Sequence, residues 1–241
     1  MNAITTKGLT KAYGQKTALD NLDLAVQNGE LFALLGVNGA GKTTTIKLLS
    51  CLMAPTAGSA SIYGHDILTH AHEARALLAT SPQETAVAPN LTTRENLELM
   101  AGIYGSSLTQ SKQKATRMID EFNMASIENT KAKKLSGGWQ RRLSIAMALI
   151  SEPKLLFLDE PTLGLDVLAR RELWTIIRGL KGKTTIILTT HYLEEAESLS
   201  DRIGILSGGK LVALGTAQEM IERTGARNFE DAFISLAGGA Q

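Results

Sequence analysis

The stretch GVNGAGKTT, residues 36–44, directly follows the apolar run Leu31-Phe32-Ala33-Leu34-Leu35. Gly36, Gly41, Lys42 and Thr43 satisfy G-x-x-x-x-G-K-[ST], the pattern of a phosphate-binding loop. Glycines let the backbone wrap closely, its N–H groups turn inward toward an anion, and a helix starting after Gly41 adds the positive end of its dipole. Lys42 is placed to reach the β- and γ-phosphates of a nucleotide, and the Thr43 hydroxyl to ligate Mg²⁺. A buried strand, a glycine loop and a helix in succession predict an α/β fold with a phosphate-loop core on a parallel sheet.

Such a loop serves kinases, GTPases and ATPases alike, so what separates them must lie downstream. Leu155-Leu156-Phe157-Leu158-Asp159-Glu160 reads as a buried strand ending in two acids. Asp159 is placed to hold a metal through its water shell, and Glu160 to polarise an attacking water. Thr185-Ile186-Ile187-Leu188 is a further buried strand beyond a helical stretch, and this alternation again marks a parallel sheet. A second anion receptor is suggested by Leu135-Ser136-Gly137-Gly138-Trp139, which opens a helix marked by Leu143, Ala146, Met147 and Ile150. An ordinary serine cap is the plainer reading of the same residues.

Around these motifs the first 35 residues read as short strands over 3–9, 18–26 and 31–35, with Asn28-Gly29 as a turn. A helix is expected from 42 to about 52, a turn over 55–58 and a strand over 59–63. Thr92 sits three residues before Glu95 as a helix cap, and Leu97, Met100, Ala101 and Tyr104 follow at helical spacing. The predicted organisation is one domain. Residues 1–88 and 152–241 form an α/β core with an N-terminal antiparallel β subdomain, and 89–151 form an inserted helical subdomain.

The 241 residues are 44% hydrophobic and 20% charged, the composition of a soluble globular chain with a substantial core. A net charge of +1 gives no whole-surface attraction to nucleic acid or anionic lipid. No apolar run approaches the roughly 20 residues that span a bilayer, and MNAITTKGLTKAYG lacks the pattern of a secretory signal. The expectation is a chain with no direct membrane span, carried to any membrane by another polypeptide. The single cysteine, Cys51, excludes an intrachain disulfide, fits a reducing cytosol and is expected as a buried small apolar residue. Of four histidines only His191 follows a buried strand; His65, His70 and His72 are expected at the surface. Lys131, Lys133 and Lys134 are expected to form a solvated face.

GVNGAGKTT, LSGG and LLFLDEPT in this order resemble the nucleotide-binding subunit of an ATP-binding cassette transporter, over nearly the whole chain. The resemblance implies that Tyr13, in KAYG, stacks on adenine, and that Asn38, Gly39, Ala40 and Thr44 join Gly36, Gly41, Lys42 and Thr43 in binding ATP. Gln83, in TSPQE, corresponds to a glutamine that touches Mg²⁺ and the lytic water. Glu160 corresponds to the base or water-positioning residue, with Lys42 and His191 stabilising charge on the γ-phosphoryl group. Ser136, Gly137 and Gly138 would contact the γ-phosphate held by a second nucleotide-binding subunit, and Asp166, in Leu163-Gly164-Leu165-Asp166, would join the two sites. A homodimer would then hold two complete sites.

One position departs from the family: Trp139 stands where glutamine is most common, which leaves catalysis in place but puts the packing nearby in question. THYLEEAESLSDRIGIL and residues 229–234 resemble the drug- and ion-extruding exporter branch. That likeness implies a separate transmembrane permease as partner, a peripheral place on the inner face of the cell membrane, and no nucleic-acid partner. The alternative is a soluble cassette ATPase of translation or DNA maintenance. Such proteins usually carry two cassettes per chain or a long coiled-coil insertion, and neither is present.

Overall fold

The computed structural model describes residues 1–238, and the apolar runs become the inner strands of a mostly parallel sheet. The chain opens with β1 (Asn2–Tyr13), β2 (Lys16–Gln27) and β3 (Leu31–Leu35), then α1 (Lys42–Leu49), β4 (Ala57–Ile62) and β5 (His65–Asp66). The short helix α2 (Ala71–Ala76) leads into β6 (Leu78–Ser81). The insertion carries α3 (Thr93–Ile103), α4 (Leu108–Glu121) and α5 (Gly137–Leu149). The core resumes with β7 (Leu155–Asp159), α6 (Val167–Leu180), β8 (Thr185–Thr190) and α7 (Leu193–Leu199). It closes with β9 (Arg202–Ser207), β10 (Lys210–Gly215), α8 (Ala217–Thr224) and α9 (Phe229–Gly238).

Two sheets result. One is antiparallel, in the order β2-β1-β4-β5; the other runs β10-β9-β3-β8-β7-β6, parallel except for the β9–β10 hairpin. The parallel strands are buried on both faces, which is why residues 31–35, 155–158 and 186–188 read as continuous apolar runs rather than alternating ones. Their side chains nevertheless divide by parity. Leu155 and Phe157 pack with Phe32 and Leu34 toward the antiparallel sheet, where Ile4, Leu22 and Ile62 meet them. Leu156 and Leu158 pack with Ile186 and Leu188 toward the helices, against Leu143, Ile145 and Ala146 of α5. Ala33 and Leu35 face Ile203, Ile205 and Phe229, which fixes the C-terminal helices to the same strand.

This strand order positions the site. β3, β7 and β8 are neighbours and point the same way, so the loops at their carboxyl ends open side by side. Ligands of open α/β sheets bind at that edge. The Tyr63 hydroxyl, 2.9 Å from Thr185 Oγ1 and 3.0 Å from the Lys154 carbonyl, ties the antiparallel sheet to the parallel one.

Several expectations shift. β1 and β2 extend to Tyr13 and from Lys16, beyond the 3–9 and 18–26 read from alternation, because the hairpin ladder continues through Lys11↔Leu19, Ala12↔Thr17 and Tyr13↔Lys16. α1 stops at Leu49 instead of about 52, and Cys51 takes a left-handed φ of 57° just beyond it. Cys51 is half-buried rather than buried, and burial raises its thiol pKa, away from a reactive thiolate. Tyr63, also left-handed at φ 49°, ends β4 one residue before the expected limit. His70 and His72 are exposed as expected, whereas His65 is half-buried in β5. Lys131, Lys133 and Lys134 are exposed.

Candidate nucleotide site

The loop between β3 and α1 is shaped by backbone that only glycine fits. A Cβ on Gly36 would lie 2.5 Å from the Leu206 carbonyl oxygen. Gly41, left-handed at φ 109°, would place one 2.6 Å from the Ala18 carbonyl oxygen. Gly36 and Ala40 are buried beneath the loop, while Asn38 and Gly39 stand at its exposed crest. Thr45 Oγ1 donates to the Gly41 carbonyl at 3.0 Å and stiffens the first turn of α1.

Lys42 is 5% exposed and folds back over the loop. Its Nζ donates to the Gly36 carbonyl at 2.8 Å and the Val37 carbonyl at 3.3 Å, and lies 3.4 Å from Glu160 Oε1. The other Glu160 oxygen lies 3.2 Å from His191 Nδ1, close but not aligned for a hydrogen bond. Lysine, glutamate and histidine therefore converge from the ends of β3, β7 and β8. Glu160 occupies the left-handed region at φ 46°, uncommon for a residue with a side chain and typical of strain held at functional positions. Its N–H donates to the Thr189 carbonyl and to Thr189 Oγ1, both at 3.1 Å, which holds that conformation.

Thr189 was not singled out from sequence, although a hydroxyl inside a buried strand is itself a signal. Its Oγ1 donates to Asp159 Oδ1 at 2.5 Å, so one side chain orients both acids. Asp159, 5% exposed, also accepts from Thr43 Oγ1 at 3.4 Å. Nearby, Glu195 is wholly buried on α7 and accepts from Trp174 Nε1 at 3.0 Å; burial raises its pKa.

Lys42, Glu160 and His191 line a cleft of about 660 Å³. Asn38, Gly39, Gly41, Lys42, Thr43 and Thr44 form its floor, Glu160 and His191 one wall, and Gln83 the rim beside the insertion. Tyr13 closes the far end. It is 48% exposed, so it is no core residue, and its hydroxyl reaches Met53 Sδ at 2.9 Å. Lys16, which sequence reading passed over, adds a positive charge to the lining.

Four expected site residues stand apart from this cleft. Ser136 caps α5 by position alone, with no side-chain hydrogen bond to the helix, and Ser136 and Gly137 are exposed. Gly138 abuts the start of α6, where an added Cβ would meet Ala169 Cβ at 3.1 Å. Asp166 caps that helix, accepting from the Ala169 N–H at 2.9 Å. Trp139 lies against its own chain, with the Arg142 guanidinium 4.3 Å above its ring and Glu172 Oε2 2.5 Å from Arg142 Nη2.

A glycine-cradled lysine, an adjacent pair of strand-end acids and a histidine on neighbouring parallel strands define a phosphate-loop ATPase with a helical insertion. A family model described as ABC transporter matches residues 19–163. The chain is 43% identical to the daunorubicin resistance ATP-binding protein DrrA3 of Streptomyces coeruleorubidus, over 92% of this chain and 71% of that protein. It is 41% identical to the probable multidrug ABC transporter ATP-binding protein YbhF of Escherichia coli K12, over 97% of this chain and 41% of that protein. Among solved structures, an ATP-binding subunit of an ABC transporter is 32% identical with a TM-score of 0.85, covering 97% of this chain and 99% of that one. A dimeric post-hydrolysis state of the ATP-binding cassette MJ0796 bound to ADP and Pi is 27% identical with a TM-score of 0.79, covering 88% of this chain and 98% of that one. The chain belongs to the ABC transporter family. It is an ATP-binding, ATP-hydrolysing subunit of that family, with the ABC ATPase fold.

Proposed function

We propose that the cleft between Tyr13 and Gln83 takes ATP with its adenine on Tyr13 and its phosphates in the 36–44 loop. The observation carrying this reading is the convergence of Lys42, Glu160 and His191 at 3.4 and 3.2 Å on the wall of that cleft. Lys42 would exchange its carbonyl and carboxylate contacts for the β- and γ-phosphates. Glu160, freed from the lysine, would orient a water or take its proton, and His191 would stay on the γ-phosphate side.

The oxygens of Thr43 and Asp159, already 3.4 Å apart, are the hard donors that suit Mg²⁺. Gln83 stands at the same rim. Among the described residues no cluster of three or more His, Cys, Asp or Glu side chains could hold a metal, so the remaining oxygens of such a shell would come from phosphate and water. Bound there, Mg²⁺ would supply neutralisation of charge on the phosphate oxygens.

Ser136, Gly137 and Gly138 are placed by this reading on the γ-phosphate of a second nucleotide-binding subunit. Ser136 and Gly137 are exposed, and the Ser136 side chain caps nothing in its own chain. Two identical chains would close over two nucleotides, Asp166 would link the sites, and hydrolysis would release the closed form. No described helix is long and apolar enough to cross a membrane, so force would pass to a separate permease through the helical insertion. The chain would then act peripherally on the inner face of the cell membrane. The relatives named for drug resistance and multidrug transport favour export over a role in translation or DNA maintenance.

Glu160→Gln tests the assignment. It should lower ATP turnover by about 10²–10⁴-fold, as expected for loss of a general base, while leaving ATP affinity largely intact. Normal turnover by this variant would remove Glu160 from the mechanism.

A further inference from the structure

Between the end of β6 and the bonds that Asn96 makes to the Ala88 backbone, residues 82–87 lie outside helix and strand. This segment carries Gln83. Among the described residues, the hydrogen bonds that reach it both come from one side chain on α5. Arg141 Nη1 donates to the Pro82 carbonyl at 2.5 Å, and Arg141 Nη2 donates to the Gln83 carbonyl. One helical turn further along α5, Ser144 Oγ lies 3.3 Å from Ser81 Oγ, the last residue of β6.

The same stretch of α5 holds the approach to the LSGG sequence, residues 135–138, the signature of the cassette. Gln140 Nε2 donates to the carbonyls of Ala132 at 3.1 Å and Leu135 at 3.2 Å, just ahead of Ser136. Adjacent residues thus grip two different segments, the signature approach and the glutamine loop.

A purely structural role explains Arg141 poorly. It is 4% exposed and, among the described residues, has no carboxylate within ion-pair distance; Asp159 and Glu195 act on it only from farther off. Burial lowers its pKa, which is the cost of keeping a cation on two carbonyls. An apolar side chain would fill the volume without that penalty. What it could not supply is a planar fork fixing two consecutive carbonyls, and with them the direction in which the Gln83 side chain leaves the backbone.

We propose that Arg141 is a positioning residue that locks the Gln83 backbone to the signature helix, so that Gln83 and Ser136-Gly137-Gly138 move as one body when the signature engages nucleotide. This rests on Gln83 acting at the lytic water. Lysine at this position could reach one carbonyl but not span both in a fixed plane.

The test is a double-mutant cycle on ATP turnover by the full chain, with Gln83→Ala, Arg141→Met and the pair. Arg141→Met should cut kcat about tenfold or more with KM for ATP changed less than about threefold, and Arg141→Lys should fall between it and the parent. The pair should turn over within about threefold of Gln83→Ala alone, because Arg141 acts through that glutamine. Multiplying losses would overturn the proposal and leave the Gln83 assignment standing. Unchanged turnover in Gln83→Ala would instead defeat that assignment, and the proposal with it. Limited digestion by a glutamate-specific protease with ATP–Mg²⁺ reads the lock without turnover. Cleavage after the exposed Glu84 should be at least about tenfold faster in Arg141→Met while β6 and β7 stay intact; an unchanged cleavage rate would also overturn it.

Discussion

Lys42 and Glu160 are paired, Nζ to Oε1 at 3.4 Å, with side chains only 5% and 11% exposed. The cation of the glycine loop and the strand-end acid neutralise each other beside the cleft, and in the proposed mechanism the γ-phosphate takes over one partner and releases the other. Replacing Lys42 leaves Glu160 buried against His191 alone. Lys42→Met should therefore lose ATP binding and also about 1–3 kcal/mol of stability, the cost of an uncompensated buried charge. Adding Glu160→Gln should recover most of that stability without restoring binding. Chemical denaturation of the two variants would check this, and equal stabilities would mean that the pair carries no coupling.

Asp166 caps α6 and is proposed to join two sites, and substitution can separate the two roles. Its carboxylate caps α6 at 2.9 Å from the Ala169 N–H, a contact that an asparagine oxygen can reproduce. Asp166→Ala should cost about 1 kcal/mol of stability, whereas Asp166→Asn should cost only a few tenths. If Asp166 also joins two sites, Asp166→Asn should retain stability and lose turnover. Thermal melts paired with ATPase assays on both variants would distinguish cap from coupler.

Trp139 packs under Arg142 at 4.3 Å and against the helical core. Trp139→Gln, which restores the residue common in the family, should lower stability by about 1 kcal/mol through lost packing and cation–π contact. Turnover should stay within about threefold of the parent, since Ser136 and Gly137 remain exposed beside it. A large loss of turnover at unchanged stability would place the indole in the catalytic interface instead.

Glu195 gives a pH dependence whose sign follows from its burial. Its pKa in the folded chain is raised, chiefly by desolvation, with the nearby Thr190 and Thr162 hydroxyls and the Trp174 Nε1 hydrogen bond opposing the shift. The folded chain therefore holds this proton at pH values where the unfolded chain has released it, and stability falls as pH rises from the ordinary glutamate range through the raised value. Glu195→Gln keeps an acceptor for Trp174 and removes the titration. The variant should be the more stable form above that window and show a flatter profile across it. Urea midpoints of both proteins between pH 4 and pH 8 would measure this.

The parts of the molecule written in side-chain chemistry were legible in the sequence. Leu31–Leu35 appears as a strand with the bounds that its apolar run suggests, and Thr92 and Glu95 form the reciprocal capping box expected of their spacing. The cleft assembles Tyr13, Lys42, Thr43, Gln83, Glu160 and His191 from five separate segments, as the motifs implied. What was not legible depends on backbone. α2 and β6 span 6 and 4 residues, too short for a periodicity; β6 takes its place from pairing with β7, and α2 from burying Ala74 in the core beneath the antiparallel sheet. Arg141 has carbonyls as partners, and any residue can supply a carbonyl, so no pattern marks the contact. Thr189 appears beside Thr190 as an ordinary strand threonine until the fold brings Asp159 against it.

In the proposed mechanism one chain carries both halves of a site completed only by a second chain. The mass in solution of Glu160→Gln with ATP–Mg²⁺ and with ADP tests it most directly. The account predicts a dimer with ATP–Mg²⁺ that returns to monomer with ADP. A mass that ignores the nucleotide would contradict closure of two copies over ATP.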